Sequence, residues 1–474
     1  MLSLAIASTL ILAALAQQPP AWKIFQRPPG SYAVDTTGSP LNGDARVTIK
    51  PSNASATSVS IFLTVPADTF RLRRVIASGE LRGHGRPELT VTEGNLMTMA
   101  SENVSDTLAA SDTAWTRKKV SVVVSRTATI VGLGITVRGA GDVEVRGLSF
   151  SVENVPATNA ALSTDAQLEL DSAVAIVRRI AYWRDTVSWP RVEADVRAMA
   201  GGARSAAETY PAIRELLSRL GDHHSFLMPV QQSSQWRAGT LAKNPLPTVK
   251  LLDARIGYVS VPAYAGGDSA GYREYTQGTH ALLDGVARSA RCGWILDLRQ
   301  NSGGNMWPML AGLKPFVGGA ALGSFSSSGE SGSPWTAGSF VNVNPPASLA
   351  PLESTTVAVL IGPGTASSGE AVAVAFHGRP RTRFFGQPTK GLANSNSTVR
   401  LPDGATMNVM SAIDVDRNGQ RFGGKIVPDE TVDGTVSAAM MLGTIDDPVV
   451  KAATQWMSCQ RRRGTDDGRR RTTH

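Results

Sequence analysis

The stretch TVAVLIGPGTASSGE, from Thr356 to Glu370, decides the fold of the second half of the chain. A continuous apolar run comes first, a turn of small and polar residues follows, and the apolar segment Gly369–His377 comes next. Continuous apolar strands are typical of sheets that carry helices on both faces. The stretch therefore predicts a strand, a tight turn and a helix, with Ser367 and Ser368 on the turn.

Further segments extend this α/β pattern from Val249 onward. Ile256–Val261 and Trp294–Leu298 are short apolar runs, and the helical stretch His280–Ala290 lies between them. Strands that alternate with helical segments indicate βαβ units. We therefore expect an α/β domain in this half of the chain.

The residues before this domain alternate in hydrophobicity with a period of two. Ile61–Val65, Val120–Val124 and Ile135–Val137 are short β-branched runs, and Gly139–Asp142 forms a turn before another alternating strand. Several short strands separated by turns indicate an all-β sandwich. Its last strand resembles those of jelly-roll, carbohydrate-binding-like modules. No cluster of exposed aromatics marks a sugar platform, so we expect a structural spacer.

Helical periodicity follows the polar linker Pro156–Thr164. Leu170, Val174 and Val177 recur on one helical face, and two similar segments follow before Gly221. These segments predict a small helical bundle. The predicted division is a leader at 1–16, a β-sandwich at 17–155, a helical bundle at 156–230, a linker at 231–248, an α/β domain at 249–436 and an extension with an Arg-rich tail at 437–474.

The composition excludes several classes of protein. The chain has 474 residues, of which 42% are hydrophobic and 18% are charged, enough for several packed domains. The formal net charge is +8, and the tail Arg461–His474 contributes +4 of it. The body is therefore only mildly basic, and we expect no nucleic-acid partner. The chain shows no metal-ligand spacing and no phosphate-binding loop, so we expect neither a metal nor a cofactor.

The first residues indicate export. Met1–Ala16 is apolar, too short to span ~30 Å of hydrocarbon, and ends in Ala-Leu-Ala, the small-x-small pattern of a cleavage site. We expect a mature chain that starts near Gln17, a periplasmic or extracellular protein and no stable membrane span. The alternative is a buried strand or helix. The two cysteines, Cys292 and Cys459, are compatible with an oxidising compartment, and we expect Cys292 to be buried and unpaired.

Three polar segments carry the candidate chemistry. The first is Gly362–Glu370, whose Ser367 lies on the predicted strand-to-helix turn. A serine at such a turn is near the positive end of the helix dipole, and the amide of the next residue, Ser368, can face a developing oxyanion. Asp297–Gly304 follows another strand, and its consecutive glycines let backbone amides approach a ligand. Gly221–Phe226 contains His223 and His224, and histidine is the common base for a serine nucleophile.

Taken together in their order along the chain, the three segments resemble the tail-specific (C-terminal-processing) serine peptidase family, nearer its tricorn-core and interphotoreceptor retinoid-binding protein branch. The similarity covers roughly Leu168–Val436. Gly386-Gln-Pro-Thr and Gly424-Lys-Ile-Val-Pro-Asp429 fall where the family has its Gly-Glu-Pro-Thr and Gly-x-x-Pro-Asp phrases. The resemblance implies a ClpP/crotonase-like core. Many members insert a PDZ domain, for which Leu227–Ile256 leaves no room.

The resemblance also implies a role for each motif residue. Ser367 matches the nucleophile, and His224 matches the histidine base of the tricorn-like branch. The amide of Ser368 and that of Gly303 or Gly304 would form the oxyanion hole.

The base and the third catalytic residue stay open at this point. The tail-processing branch uses a lysine, and Lys390 lies 23 residues after Ser367. The family order Pro-Thr-x-Gly-Lys is changed here to Pro-Thr-Lys-Gly. Phe422 stands where the tricorn-like branch carries an acidic residue that orients the histidine. Glu370 and Asp222 are candidates for that orienting role because they lie in the motifs.

The sequence thus predicts an exported serine endopeptidase that acts on peptides or unfolded proteins. The alternative is a non-catalytic protein that binds a hydrophobic ligand or a carbohydrate on the same core. The presence of both Ser367 and His224 favours the enzyme. Peptide specificity and oligomeric state do not follow from these patterns.

Overall fold

The structure is a computed structural model that describes residues 22–457, except 41–42, 72, 96–99, 108–113, 125–127, 140, 155–159, 242–243, 328–331, 333 and 434–441. The predicted leader and the Arg-rich tail lie outside the described residues. The chain divides into two compact units. The first comprises Met1–Pro229, Val399–Asp403 and Met407–Val409, and the second comprises Val230–Thr398, Gly404–Thr406 and Met410–His474.

The N-terminal part of the first unit is rich in β-strands. They are β1 (Lys23–Arg27), β2 (Tyr32–Thr37), β3 (Ala45–Pro51), β4 (Ser58–Pro66), β5 (Arg73–Gly83), β6 (Arg86–Asn95), β7 (Ala100–Thr107), β8 (Thr116–Val123), β9 (Ile130–Arg138) and β10 (Val143–Asn154). Within the described ranges they form two antiparallel five-stranded sheets, in the orders β1-β4-β9-β6-β7 and β2-β3-β10-β5-β8.

Alternation of apolar side chains explains these sheets. In β4, Val59 and Ile61 are fully buried, and Ser60 between them is only half-buried. Successive side chains of a strand point to opposite faces, so one face of β4 packs inward. Residues of both sheets, such as Ile61 and Val75, share one hydrophobic core. The predicted β-rich N-terminal region is confirmed.

Helices complete the first unit. They are α1 (Thr164–Ile180), α2 (Trp189–Ala200) and α3 (Tyr210–Ser218), with 3₁₀ turns at Arg184–Thr186 and Ala206–Thr209, and the short strand β11 (Phe226–Met228) follows. The Ser163 hydroxyl accepts a hydrogen bond from the Ala166 N–H at 3.2 Å and caps α1. Leu170, Val174 and Val177 are buried along one side of this helix, as their spacing predicts.

The second unit is built on a mostly parallel sheet. Its strands are β12 (Thr248–Leu252), β13 (Ile256–Ser260), β14 (Trp294–Asp297), β17 (Val357–Ile361), β18 (Thr382–Gly386) and β22 (Glu430–Thr431), and they pair in that order. The β12–β13 pair is antiparallel and the others are parallel. The remaining strands are β15 (Gly323–Ser326), β16 (Pro334–Trp335), β19 (Asn394–Arg400), β20 (Thr406–Asp416) and β21 (Arg421–Phe422). Among these, β15 and β21 pair with the C-terminal part of β20.

Helices cover both faces of the parallel sheet. They are α4 (Val230–Arg237), α5 (Ser269–Ala287), α6 (Met306–Gly312), α7 (Lys314–Val317), α8 (Ser368–Phe376) and α9 (Pro448–Trp456), with a 3₁₀ helix at Ala347–Ser354. Every residue of β14 and β17 is buried. Val359 packs in a core with Val372 of α8, and its neighbour Leu360 packs with Val450 of α9. The predicted mixed α/β second half is confirmed.

The structure corrects one prediction about cysteine. Cys292 is disulfide-bonded rather than unpaired, and the other cysteine of the chain, Cys459, lies outside the described residues. A covalent bond from Cys292, just before β14, is a tertiary feature that local hydrophobicity does not encode. Among the described residues, none of the helices has the length and apolar character that crossing a bilayer requires.

Candidate active site

Ser367 sits at the junction of β17 and α8 in a strained conformation. Its φ is 52° and its ψ is −122°, a region that residues with a Cβ rarely occupy and that costs ~1–3 kcal/mol. The preceding turn is tied to the end of β14, because the Thr365 hydroxyl donates to the Leu298 carbonyl at 2.9 Å. The turn holds the serine at the N-terminus of α8, where the helix dipole favours negative charge.

The loop after β14 lies directly against this turn. The Asn301 carbonyl accepts a hydrogen bond from the Ala366 N–H at 3.0 Å, and its side-chain oxygen accepts one from the Gly303 N–H at 3.0 Å. Gly303 has a φ of 108°, and a Cβ added there would lie 2.8 Å from the Cβ of Ser367. Only glycine allows the loop to approach the serine this closely.

Two backbone amides remain available beside Ser367. Among the described residues, the N–H groups of Gly304 and Ser368 donate to no intramolecular acceptor. The Ser368 hydroxyl donates to the Gly304 carbonyl at 2.8 Å and links the two loops. The Gly303 N–H, in contrast, is occupied by Asn301. Unpaired backbone amides near a nucleophile are the groups that can stabilise an oxyanion.

Glu370 holds the serine turn in place from the first turn of α8. Its side chain is fully buried, and one carboxylate oxygen accepts hydrogen bonds from the Ser367 and Leu392 N–H groups, both at 2.8 Å. The other oxygen accepts from the Thr389 hydroxyl at 2.5 Å and the Gly391 N–H at 2.9 Å. Burial raises the pKa of Glu370, and the four donors oppose that rise.

Lys390 contributes its backbone to the same region. Its N–H donates to the Thr365 carbonyl at 3.0 Å, and its side chain is exposed. The contact of Lys390 with the serine turn is thus made by its backbone.

Asp222 and His224 belong to the first unit, whereas the candidates described above belong to the second. One Asp222 oxygen accepts hydrogen bonds from the N–H groups of His224, at 2.8 Å, and Ser225, at 2.7 Å. The other oxygen accepts from the Ser225 hydroxyl at 2.7 Å. Asp222 thus shapes the backbone of the histidine loop. His224 is 8% exposed, and His223 is exposed with a φ of 55°.

A buried ion-pair network supports the loop after β14. The Arg299 guanidinium contacts Asp297 at 2.6 Å and Asp447 at 2.7 Å, and the Tyr258 hydroxyl donates to Asp297 at 2.8 Å. Burial by itself would raise the pKa of Asp447, but Arg299 and backbone donors hold it below its usual value. Because it bridges Asp297 and Asp447, Arg299 is a structural cation of the loop.

Sequence reasoning missed Asn301, Thr389 and Asp414. Asn301 lies inside the Asp297–Gly304 segment, and its place two residues before a glycine is a signal for a side-chain-to-backbone turn. Thr389 donates to Glu370 and accepts from the Ile426 N–H, both contacts over long sequence distances. No local pattern encodes such contacts.

Comparison with known proteins identifies this region. Residues 255–432 match the sequence profile of Peptidase family S41. This region belongs to peptidase family S41. The match includes the loop after β14, the Ser367 turn and the Thr389 segment, and it confirms the resemblance to the tail-specific serine peptidase family as a whole. The S41 assignment identifies the chain as a serine-type peptidase.

The relatives extend beyond the S41 segment. The chain is 24% identical over 309 residues to the nisin-resistance protein of Lactococcus lactis subsp. lactis, covering 63% of this chain and 92% of the relative. A solved lipoprotein structure from Streptococcus agalactiae aligns with a TM-score of 0.52 at 20% identity, covering 63% of this chain and 98% of that one. The photosystem II D1 C-terminal processing protease aligns with a TM-score of 0.45 at 17% identity, covering 61% and 98%. The second comparison shows a shared fold.

Substitution of Gly303 by alanine should disable the S41 site. The new Cβ would press on Ser367 and would require an unfavourable φ, so we expect kcat/KM to fall about 100-fold or more, the cost of a small displacement of a catalytic group. Peptide hydrolysis and thermal unfolding would be measured together. Gly362→Ala is the matched control, because its Cβ would meet its nearest neighbour, Arg299 Cγ, at 3.7 Å. Full activity in Gly303→Ala would contradict this account of the loop.

Proposed function

We propose that the chain is an exported serine endopeptidase that forms an acyl-enzyme on Ser367. The observation that carries this proposal is the strained Ser367 at the start of α8, beside the Gly304 and Ser368 amides that donate to no intramolecular acceptor. A strained strand-to-helix turn of this kind exposes the serine hydroxyl. Available amides beside it suit the charge that develops on a carbonyl oxygen during acyl transfer.

In the proposed reaction the Ser367 hydroxyl oxygen attacks the carbonyl carbon of the scissile peptide bond. A base removes the hydroxyl proton, and the Gly304 and Ser368 N–H groups donate to the resulting oxyanion. The C–N bond then breaks as the protonated base returns its proton to the leaving amine. Water, deprotonated by the same base, hydrolyses the acyl-enzyme and regenerates the serine. Gly303 acts here as the residue that brings the loop close, since its own N–H binds Asn301.

We propose His224 as the base. The histidine phrase of the resemblance is intact in this chain, and a histidine has a pKa suited to proton transfer near neutral pH. The lysine phrase, in contrast, is changed around Lys390, and the Lys390 side chain is exposed. Asp222 accepts hydrogen bonds from backbone N–H groups of its own loop. Glu370 accepts hydrogen bonds from the Ser367 N–H and from the segment Thr389–Leu392, and these contacts support positioning roles for both acids.

The substrate class that we propose is a peptide or an unfolded protein. Peptidase family membership supports a peptide bond as the target, and the relative named for nisin resistance is named for resistance to a peptide. For the architecture we propose a jelly-roll-like β-domain over 17–155 and a helical bundle over 156–230 as accessory parts of a ClpP/crotonase-like core at 249–436.

Replacement of Ser367 tests the nucleophile. Ser367→Ala should lower hydrolysis of an unfolded protein substrate by roughly 1000-fold or more, because the attacking oxygen is lost. Ser368→Ala, which keeps the Ser368 amide, should retain much more activity. A fluorophosphonate probe should label Ser367, as mapped by mass spectrometry. If Ser368→Ala is the inactive variant, the nucleophile is the other serine; if neither changes hydrolysis, the ligand-binding alternative is favoured.

A pair of variants tests the base. His224→Ala should lower kcat/KM about 10²–10⁴-fold, the usual contribution of a positioned general base, whereas Lys390→Ala should cost much less. The pH profile of the wild type should rise with an apparent pKa of ~6–7 if histidine is the base. Thermal unfolding of each variant is the control. A folded, inactive Lys390→Ala beside an active His224→Ala would establish a serine–lysine mechanism instead.

We propose that the protein acts outside the cytoplasm. The apolar Met1–Ala16 run, the disulfide-bonded Cys292 and the lipoprotein structure with a similar fold support a cell-envelope or extracellular site. Fractionation of the native host should recover the protein from the periplasm, cell envelope or medium. Recovery of the active protein from the cytoplasm alone, with Cys292 reduced, would contradict export.

A further inference from the structure

The second unit contains another buried carboxyl group besides that of Glu370, the side chain of Asp414. It is fully buried on β20, and among the described residues neither of its side-chain oxygens has a hydrogen-bond partner. An isolated buried carboxylate is costly, because it loses its hydration and gains nothing in return. A fully buried carboxyl group without donors is stable only when it carries a proton.

The backbone at Leu392 and Ala393 connects Asp414 with Glu370. The Leu392 N–H donates to Glu370, and the carbonyl of the next residue, Ala393, accepts the Asp414 N–H at 3.4 Å. The negative charge of Glu370 also disfavours a charge on Asp414. Glu370 in turn binds the Ser367 N–H. The two buried acids are therefore bound to adjacent residues of one segment, and the charge of one acts on the other.

Hydrogen bonding decides which acid of the pair holds a proton. All four contacts of Glu370 are donated to its oxygens, three by backbone N–H groups and one by the Thr389 hydroxyl. A protonated Glu370 would have to give up one of these contacts. Asp414 has no donor to lose. Two carboxyl groups in one site do not both ionise readily, so the proton resides on Asp414.

We propose that Asp414 is a positioning residue that holds the proton of a Glu370–Asp414 pair, so that the ionised Glu370 fixes the Ser367 turn. The predicted effect of Asp414 on activity depends on the proposed function, in which Ser367 is the nucleophile. The proton distribution itself follows from burial and hydrogen bonding.

Among the described residues, the strand partners of Asp414 supply no compensating cation. Opposite it lie Phe325 on β15 and Phe422 on β21. Asp416, on the same strand, pairs with His377, and Arg421 of β21 donates to the Ser326 hydroxyl. The strand partners of Asp414 are thus apolar, and Asp416 and Arg421 bind other residues. This agrees with a pKa of Asp414 that burial and the Glu370 charge raise to about 8.

The pH dependence has a definite sign. An aspartate in an unfolded chain titrates near ~3.9, whereas Asp414 in the folded protein titrates about pH 8. Between these values the folded state binds one more proton than the unfolded state, so the free energy of unfolding falls as the pH rises through this range. Above it, the ionised Asp414 repels Glu370 and disturbs the serine turn.

The test is a carboxyl-carbon NMR titration of the full-length protein labelled at aspartate. We expect one aspartate signal with a midpoint near pH 8, its absence in Asp414→Asn, and a lower midpoint in Glu370→Gln because the neighbouring charge is removed. Should Asp414→Asn fail to fold, the wild-type signal and its shift in Glu370→Gln still decide. The proposal is overturned if no aspartate titrates above neutral pH, or if the signal persists in Asp414→Asn.

Activity provides a separate readout. The wild-type kcat should fall about tenfold between pH 7 and pH 9 as the protonated fraction of Asp414 declines, with KM little changed. Relative to its own value at pH 7, Asp414→Asn should lose much less over this range. An identical alkaline decline in both proteins would refute the positioning role. Since the NMR titration needs no turnover, it separates failure of this inference from failure of the proposed peptidase mechanism.

Discussion

The backbone of Ser367 is the constraint on which the rest of the S41 site depends. A residue with a Cβ does not hold a φ of 52° and a ψ of −122° unless its surroundings compensate for a cost of ~1–3 kcal/mol. Here the compensation comes from the ends of two adjacent parallel strands. Asn301 binds the Ala366 N–H, Thr365 binds the Leu298 carbonyl, and Glu370 binds the Ser367 N–H. The strained turn is therefore held by the carboxyl ends of two central strands, β14 and β17.

The carboxyl end of β14 is stabilised by a buried ion-pair network. Arg299 lies between Asp297, at the end of β14, and Asp447, which caps α9 by accepting the Val449 N–H at 2.9 Å. The guanidinium forms paired contacts with both carboxylates, a geometry that a lysine cannot reproduce. The loop with Gly303 and Gly304 follows Arg299 directly along the chain. Its position is set by a buried ion network on one side and by the serine turn on the other.

The sequence predicted the parts of this site that local patterns encode. The apolar run before Gly362 marked β17, the small and polar residues marked the turn, and the paired glycines marked a loop whose backbone amides can approach a ligand. Glu370 and Asp414 show where such reasoning ends. Glu370 collects donors from a loop about twenty residues away, and Asp414 lies in β20, where ten of eleven residues are buried. An acid in an alternating sequence is normally assigned to a solvent face, and only the packing of both faces of β20 reveals its burial.

The backbone amides around Ser367 divide into two groups with different tasks. The N–H groups of Ser367 and Gly303 are occupied by Glu370 and Asn301, and they fix the geometry. Those of Ser368 and Gly304 have no acceptor among the described residues and are the ones that the proposed mechanism assigns to the oxyanion. Donors that are already oriented need no reorganisation when charge develops, which is the basis of electrostatic catalysis. Glu370 contributes to this division because its carboxylate binds the Ser367 N–H and fixes the turn. The Ser368 and Gly304 N–H groups are thereby held in place with no acceptor of their own among the described residues, and they can donate to the substrate.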